Sequence, residues 1–354
     1  MGKNSDYHKE KDKNCRLKLK AIKEKLPFFT YEFLDSKAQR NPHTAVAYAY
    51  DLNIFFRYLK EFNPSLKDTE IKDISLELIN NLSYQDINEY QKYLSAKDVD
   101  IVGEIEMLND TKGIARRMSS LRSLCKYLCL HGDLSNDPTV GANTQSFHAD
   151  DHVIIRMTPR EVEEFLHTIE TGDFGSDHQK KLNKKHTNRD LAILTLLLRT
   201  GIRVSECVSL DVNDLNFKEN SMRILRKGGK EHILYFDELT GNRLQDYIEL
   251  ERPLYIESEE EKALFMSNRK KRMAVRSIQE MVSKYASVAV PNKKITPHKM
   301  RSTYGTALYN KTGDIRLVAD VLGHSDINTT ARHYAASEDA HRRQAAKIDP
   351  YELS

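Results

Sequence analysis

The chain has 354 residues, 39% of them hydrophobic and 30% charged, with a formal net charge of +3. That length accommodates about two domains with separate cores, and the composition excludes a disordered chain. No run approaches the ~18 consecutive apolar residues of a membrane helix, and the N-terminus MGKNSDYHKEKDKNCRLKLK lacks a signal-peptide core, so the expectation is a cytoplasmic protein with no membrane partner.

In chain order, residues 1 to 30 open with nine Lys/Arg against four Asp/Glu. Leu52, Phe55, Phe56, Leu59 and Phe62 then recur at steps of three and four, which predicts one face of an amphipathic helix from near Thr44 to the stop at Asn63-Pro64. Helices follow at about 75–81 and 84–95, the second carrying Ile87, Tyr90 and Leu94. A further helix runs from about Asn109 to Leu130, with an apolar stripe of Met118, Leu121, Cys125 and Leu128. Lys112, Arg116, Ser119, Ser123 and Lys126 share another face of that helix, which fits either phosphates or plain solvent. From Asn136 to Met157 periodicity disappears and small, polar and Pro/Gly residues collect, as in an interdomain linker.

Thr158-Pro159-Arg160-Glu161 opens the second half with a capping pattern, and Val162, Phe165, Leu166 and Ile169 make the buried face of its helix. The apolar run LAILTLLL predicts a buried helix ending at Gly201. SMRILR and EHILYF around KGGK read as a β-hairpin, and more helices fill the rest. The chain is therefore expected to be mainly α in two domains: an all-α N-terminal one and a mixed α+β one with a small antiparallel sheet. Four scattered cysteines without a CxxC pair give neither a disulfide framework nor a zinc site, and Cys125 and Cys129 read as one helical face.

Four places in the second half carry chemistry. TGIRVSE has Arg203 and Glu206 three apart; were 204–210 helical, both would share a face and Glu206 could orient Arg203 by a bidentate pair. Lys227 stands at the tip of the predicted hairpin. PHKMRSTYGTAL has His298 and Arg301 three apart, with Ser302, Gly305 and Ala307 small enough for close packing. GHSDINTTARHY has His324 and Tyr334 ten apart. The histidines lack metalloprotease spacing and an acidic cluster, and arginine is no metal ligand, so no metal is expected.

Two arginines, two histidines, a lysine and a tyrosine suit a phosphodiester. Attack at phosphorus spreads negative charge over the non-bridging oxygens, which forked guanidinium donors can bind. Histidines can donate to the same oxygens or move the nucleophile's proton. A tyrosine of ordinary pKa about 10 needs cationic surroundings to become a nucleophile near neutral pH.

In this order and spacing the four places resemble the tyrosine recombinase (phage integrase) family: its TGxRxxE box, KGxK hairpin, HxxR box, and LGHxxxxTT followed by tyrosine. Together they span 200–334 and are highly specific. Position by position, the resemblance implies that Arg203 and Arg301 clamp the scissile phosphate with support from His298 and His324. Lys227 would be the general acid, with Lys230 the lesser candidate and a DNA contact. Tyr334 would be the nucleophile, leaving a 3′-phosphotyrosyl link and a free 5′-hydroxyl; Glu206 matches the acidic residue after the first arginine. No cofactor, metal or ATP is implied.

TAVAYAYDLNIFFRYL and RRMSSLRSLCKYLCLHGDLSNDP resemble the family's core-binding (SAM-like) domain, which with the catalytic domain forms a clamp around DNA. That gives Lys112, Arg116 and Lys126 a purpose as DNA contacts. The implied layout is a basic extension over 1–24, the core-binding domain over 25–140, a linker over 141–157, the catalytic domain over 158–336 and a protomer-docking segment over 337–354. In that last segment Ala340, Ala345, Ala346 and Ile348 can form a short helix with a small apolar face.

The chain is most similar to the Xer-like branch, and its basic N-terminus and KLNKKHTNRD insertion resemble the longer single-recombinase Xer proteins of streptococcal type. Such proteins imply chromosome or plasmid dimer resolution through a Holliday junction. The implied partners are double-stranded DNA with an inverted-repeat site, a homotetramer on two sites, and a DNA translocase of the FtsK type, all at the nucleoid. The commonest family spacing from the last histidine to the tyrosine is nine, against ten here, a longer form shared with some transposon integrases. The alternatives are an integrase or transposase of a mobile element, a type IB topoisomerase, and a DNA-binding regulator without the chemistry. That last reading calls for a missing catalytic group, and all six are present.

Overall fold

A computed structural model describes residues 6–96, 99–102, 105–108, 110–142, 155–226, 230–324 and 327. The chain forms two compact units, one of Asp6–Asp150 and the other of the chain after Asp150. Among the described residues, no helix is long and apolar enough to cross a membrane.

The first unit is a helical assembly around α3 (Pro42–Phe62), preceded by α1 (Asp6–Lys23) and α2 (Tyr31–Arg40), both packed against it. The start of α3 lies two residues before Thr44, because the Asn41 side chain accepts the main-chain N–H groups of His43 and Thr44 and Pro42 fits the first turn. Leu52, Phe55, Phe56 and Leu59 are buried as expected. Phe62 departs from that face: it is 58% exposed and packs its ring edge-on against Tyr93, 5.4 Å away. The basic first stretch is helical and anchored, with Leu19, Ile22 and Leu26 buried in the same core.

Next come α4 (Leu76–Asn80), α5 (Tyr84–Ala96), an antiparallel hairpin β1 (Val99–Val102) with β2 (Ile105–Leu108), and α6 (Thr111–His131). Asp110 caps α6 by accepting the Gly113 N–H at 2.7 Å, so the helix begins two residues after Asn109. Met118, Leu121, Cys125 and Leu128 are buried against α3. Burying such a side chain stabilises by roughly 1.5–3 kcal/mol.

The second unit starts with α7 (Pro159–Thr171), whose capping box is complete: Thr158 accepts the Glu161 N–H and Glu161 accepts the Thr158 N–H. Then follow α8 (Asp177–Lys185), α9 (Thr187–Thr200) and α10 (Val204–Ser209). A three-stranded antiparallel sheet has the order β3 (Leu215–Asn216), β4 (Ser221–Arg226), β5 (Lys230–Tyr235). The β4–β5 register pairs Arg226 with Lys230, and Lys227 at the tip lies outside the described residues. β3 is too short to show as an alternation in the sequence. The fold closes with α11 (Glu238–Asp246), α12 (Val275–Ala289), α13 (Pro297–Thr312) and α14 (Ile315–Leu322). The apolar helix α9 is the centre, packed by α7, α11 and α13.

The KLNKKHTNRD stretch forms the second half of α8 and the first turn of α9 and ends in a buried polar network. Arg189 donates from Nε and Nη2 to Asp190 Oδ1, both at 3.0 Å, and from Nη1 to Asn268 Oδ1 at 2.9 Å. Glu251 accepts the Arg189 N–H at 3.1 Å and the Tyr255 hydroxyl at 2.8 Å, while Tyr285 donates to Asp190 at 2.7 Å. Burial works against the charge on Arg189, but Asp190, Tyr255 and Glu251 outweigh it and hold the guanidinium above its ordinary pKa.

Candidate active site

The site assembles around two left-handed glycines. Gly201, at φ +62, ends α9, and a side chain there would run into the Tyr304 ring and Leu322. The turn delivers Arg203 to the N-cap of α10. From there its Nη1 donates to Glu206 Oε1 at 2.8 Å and its main-chain N–H to Glu206 Oε2 at 2.9 Å. The expected bidentate pairing of guanidinium with carboxylate is thus corrected: Arg203 stands before the helix, so its own backbone takes the second oxygen. Glu206 still fixes Arg203, whose side chain keeps 38% exposure.

Thr296 caps α13 by accepting the Lys299 N–H. His298 is exposed on the first turn, and Arg301 follows one turn later, buried, donating to the carbonyls of Gly201 and Leu322. Ser302 and Gly305 are buried, as close packing requires, whereas Ala307 is exposed and takes no part in it.

At the end of α14, Gly323 at φ +62 turns the chain into His324, which is half-buried and whose N–H donates to the Ala319 carbonyl at 2.9 Å. Arg203 Nη2 donates to the Gly323 carbonyl at 3.0 Å. The first, third and fourth sequence boxes therefore meet: Arg203 and Arg301 converge on the turn before His324. Lys227 and Tyr334 lie outside the described residues, as do the C-terminal segment of 337–354 and residues 143–154 of the expected linker.

Arg226 is a third arginine at this turn that no motif indicated. Its Nη2 donates to the Val321 carbonyl at 2.7 Å and its Nη1 to the Asp320 carbonyl at 3.3 Å. Burial lowers its pKa below the ordinary guanidinium value, Arg203 adds to that, and Glu206 and Asp320 oppose it. Three guanidinium groups held together by carbonyls suit an anion, since carbonyls orient the donors without cancelling the charge. A guanidinium carries five N–H donors, so one or two carbonyl bonds do not exhaust it.

In the other unit, Lys112 and Lys126 are exposed along α6 and Arg116 is half-buried between them, with Lys230 exposed at the start of β5 in the second. Arg116 Nη1 bonds Asp51 Oδ2 at 2.5 Å. Asp51 is buried in α3, and burial pushes its carboxyl up to about 6, with Arg116 and Arg117 opposing. The sequence signal for Asp51 was an acid directly beside Leu52, the first residue of the apolar stripe of α3.

The phage integrase family matches residues 155–341, more than half of the chain, and the N-terminal SAM-like domain of phage integrases matches 30–132. The chain belongs to the phage integrase family and is a site-specific tyrosine recombinase. Among its relatives, tyrosine recombinase XerC of Caldanaerobacter subterraneus subsp. tengcongensis is 31% identical over 338 residues, covering 92% of this chain and 88% of that protein. Tyrosine recombinase XerS of Streptococcus mutans serotype c is 27% identical over 368 residues, covering 94% and 98%. The XerH site-specific recombinase, solved as a post-cleavage complex with a palindromic difH substrate, shares the fold with a TM-score of 0.65 at 19% identity, covering 88% of this chain and 82% of that one.

Proposed function

We propose that the chain cuts and rejoins double-stranded DNA at an inverted-repeat site as a Xer-type recombinase, with Arg203, Lys227, His298, Arg301, His324 and Tyr334 as its working groups. The observation that carries this reading is the convergence of Arg203 and Arg301, 98 residues apart in sequence, on the turn that leads into His324. Tyr334 attacks the phosphorus, forming the 3′-phosphotyrosyl bond as the bond to the 5′ oxygen breaks. Lys227 gives that oxygen its proton, and the arginines and histidines hold the charge of the five-coordinate state. The phosphotyrosine keeps the energy of the broken bond, so rejoining is the reversal with a new 5′-hydroxyl.

Lys112, Arg116, Lys126 and Lys230 contact the duplex backbone. Four protomers linked by residues 337–354 act on two sites at the nucleoid through a Holliday junction, with a translocase of the FtsK type as the further partner. The similarity to XerC and XerS over most of the chain supports dimer resolution as the purpose. The ten-residue step from His324 to Tyr334 favours a second reading, integration of a mobile element by the same chemistry.

A suicide substrate nicked near the cleavage point tests the reaction. Wild type should become covalently joined to the DNA and Tyr334→Phe should not; an adduct formed by Tyr334→Phe at the wild-type rate sinks the assignment of the nucleophile.

A further inference from the structure

Four consecutive carbonyls at the end of α14 receive arginines from three separate elements. Arg226 at the end of β4 serves Asp320 and Val321, Arg301 of α13 serves Leu322, and Arg203 before α10 serves Gly323. Cations are favourable at a helix C-terminus, where carbonyls lack partners. The turn closes only partly on itself: the Gly323 N–H donates to Asp320 and the His324 N–H to Ala319, both at 2.9 Å, while the Val321 carbonyl takes its donor from Arg226 at 2.7 Å. The Arg226 guanidinium also fills the space that a Cβ at position 323 would occupy. It is therefore packed on the residue whose left-handed backbone sets the path into His324.

We propose that Arg226 is a positioning residue for strand cleavage: by holding the Val321–Gly323 turn, it fixes the main chain at His324 against Arg203. This rests on the phosphate-binding role given to His324 above. Arg226 acts through the turn and touches no reacting atom. Arg272 provides an internal contrast, since it also caps a helix, donating to the carbonyls of Val208 and Leu210 at 3.0 and 2.8 Å, but at the end of α10 and with Asp211 as its ion-pair partner.

The test is a double-mutant cycle on the full chain, read as the single-turnover rate of adduct formation on the nicked substrate at saturating protein. Arg226→Ala is expected to slow cleavage by about 10- to 100-fold, the scale of a misplaced catalytic group. In a His324→Ala background the same change should cost less than about 3-fold, because there is no longer a placed histidine to lose. Arg272→Ala should cost the same factor in both backgrounds. Where Arg226→Ala does not fold, Arg226→Met, which fills much of the same space without a donor for the Val321 carbonyl, carries the cycle.

Wild-type cleavage by Arg226→Ala, or an equal loss with and without His324, overturns the inference while leaving the site reading intact. Wild-type cleavage by His324→Ala overturns the reading of His324 itself, and the positioning role falls with it.

Discussion

Arg189 and Arg203 sit in the same unit, at the first turn of α9 and just beyond its last, and their surroundings differ in kind. Around Arg189, Asp190 and Glu251 balance the charge, and Tyr255 and Tyr285 bond those acids. Around Arg203, two more arginines crowd the same turn, Glu206 bonds one of them, and main-chain carbonyls orient all three. The first arrangement resolves its electrostatics within the protein. The second brings three oriented guanidinium groups to one turn, which is what a site for an incoming phosphate needs. Depth does not separate the two settings, for Arg301 is 4% exposed and Arg189 6%.

That contrast can be broken by substitution. Arg189→Ala strands two buried acids and should cost on the order of 3–5 kcal/mol of folding stability in a denaturant melt, with activity lost only through unfolding. Arg203→Ala and Arg301→Ala should instead keep DNA binding in a gel-shift assay and lose adduct formation by on the order of 10²-fold or more each. The distinction collapses if Arg203→Ala unfolds the protein as readily as Arg189→Ala does.

Asp51 sharpens the comparison from the opposite side, as an acid whose burial outweighs the two arginines beside it. Its folded-state pKa of about 6 lies above the ordinary 3.8, so folding favours the protonated form. The resulting penalty is present at pH 7 and disappears as pH falls from about 6 towards 4. Compared with Asp51→Asn, wild type should gain on the order of 2–3 kcal/mol over that interval. Parallel stability curves for the two proteins from pH 7 to 4 would rule out Asp51 as a strained acid.

Much of this was legible in the sequence, and the exceptions share a cause. The stripes of α3 and α6, the capping box of α7, the end of α9 at Gly201 and the β4–β5 hairpin follow from local spacing and local chemistry. Arg203, Glu206, His298, Arg301 and His324 were legible because each belongs to a short motif. Arg226 was not, because its partners lie 94 and 95 residues further along and only the folded chain brings β4 to α14. The anchoring of α1 was hidden differently: Leu19, Ile22 and Leu26 are its apolar contacts at the end of a highly charged segment, which reads as solvated. The missing half of the Arg203 pair was a boundary effect, since one residue decided between a helix face and an N-cap.

Gly323 and Arg226 depend on each other unequally. Removing Arg226 frees the space beside position 323, yet φ +62 still disfavours any residue but glycine there. Giving position 323 a side chain displaces Arg226 at once. The dependence is therefore directional: a change at Arg226 leaves the backbone of the turn open to glycine as before, whereas a side chain at position 323 disturbs the turn and the arginine together.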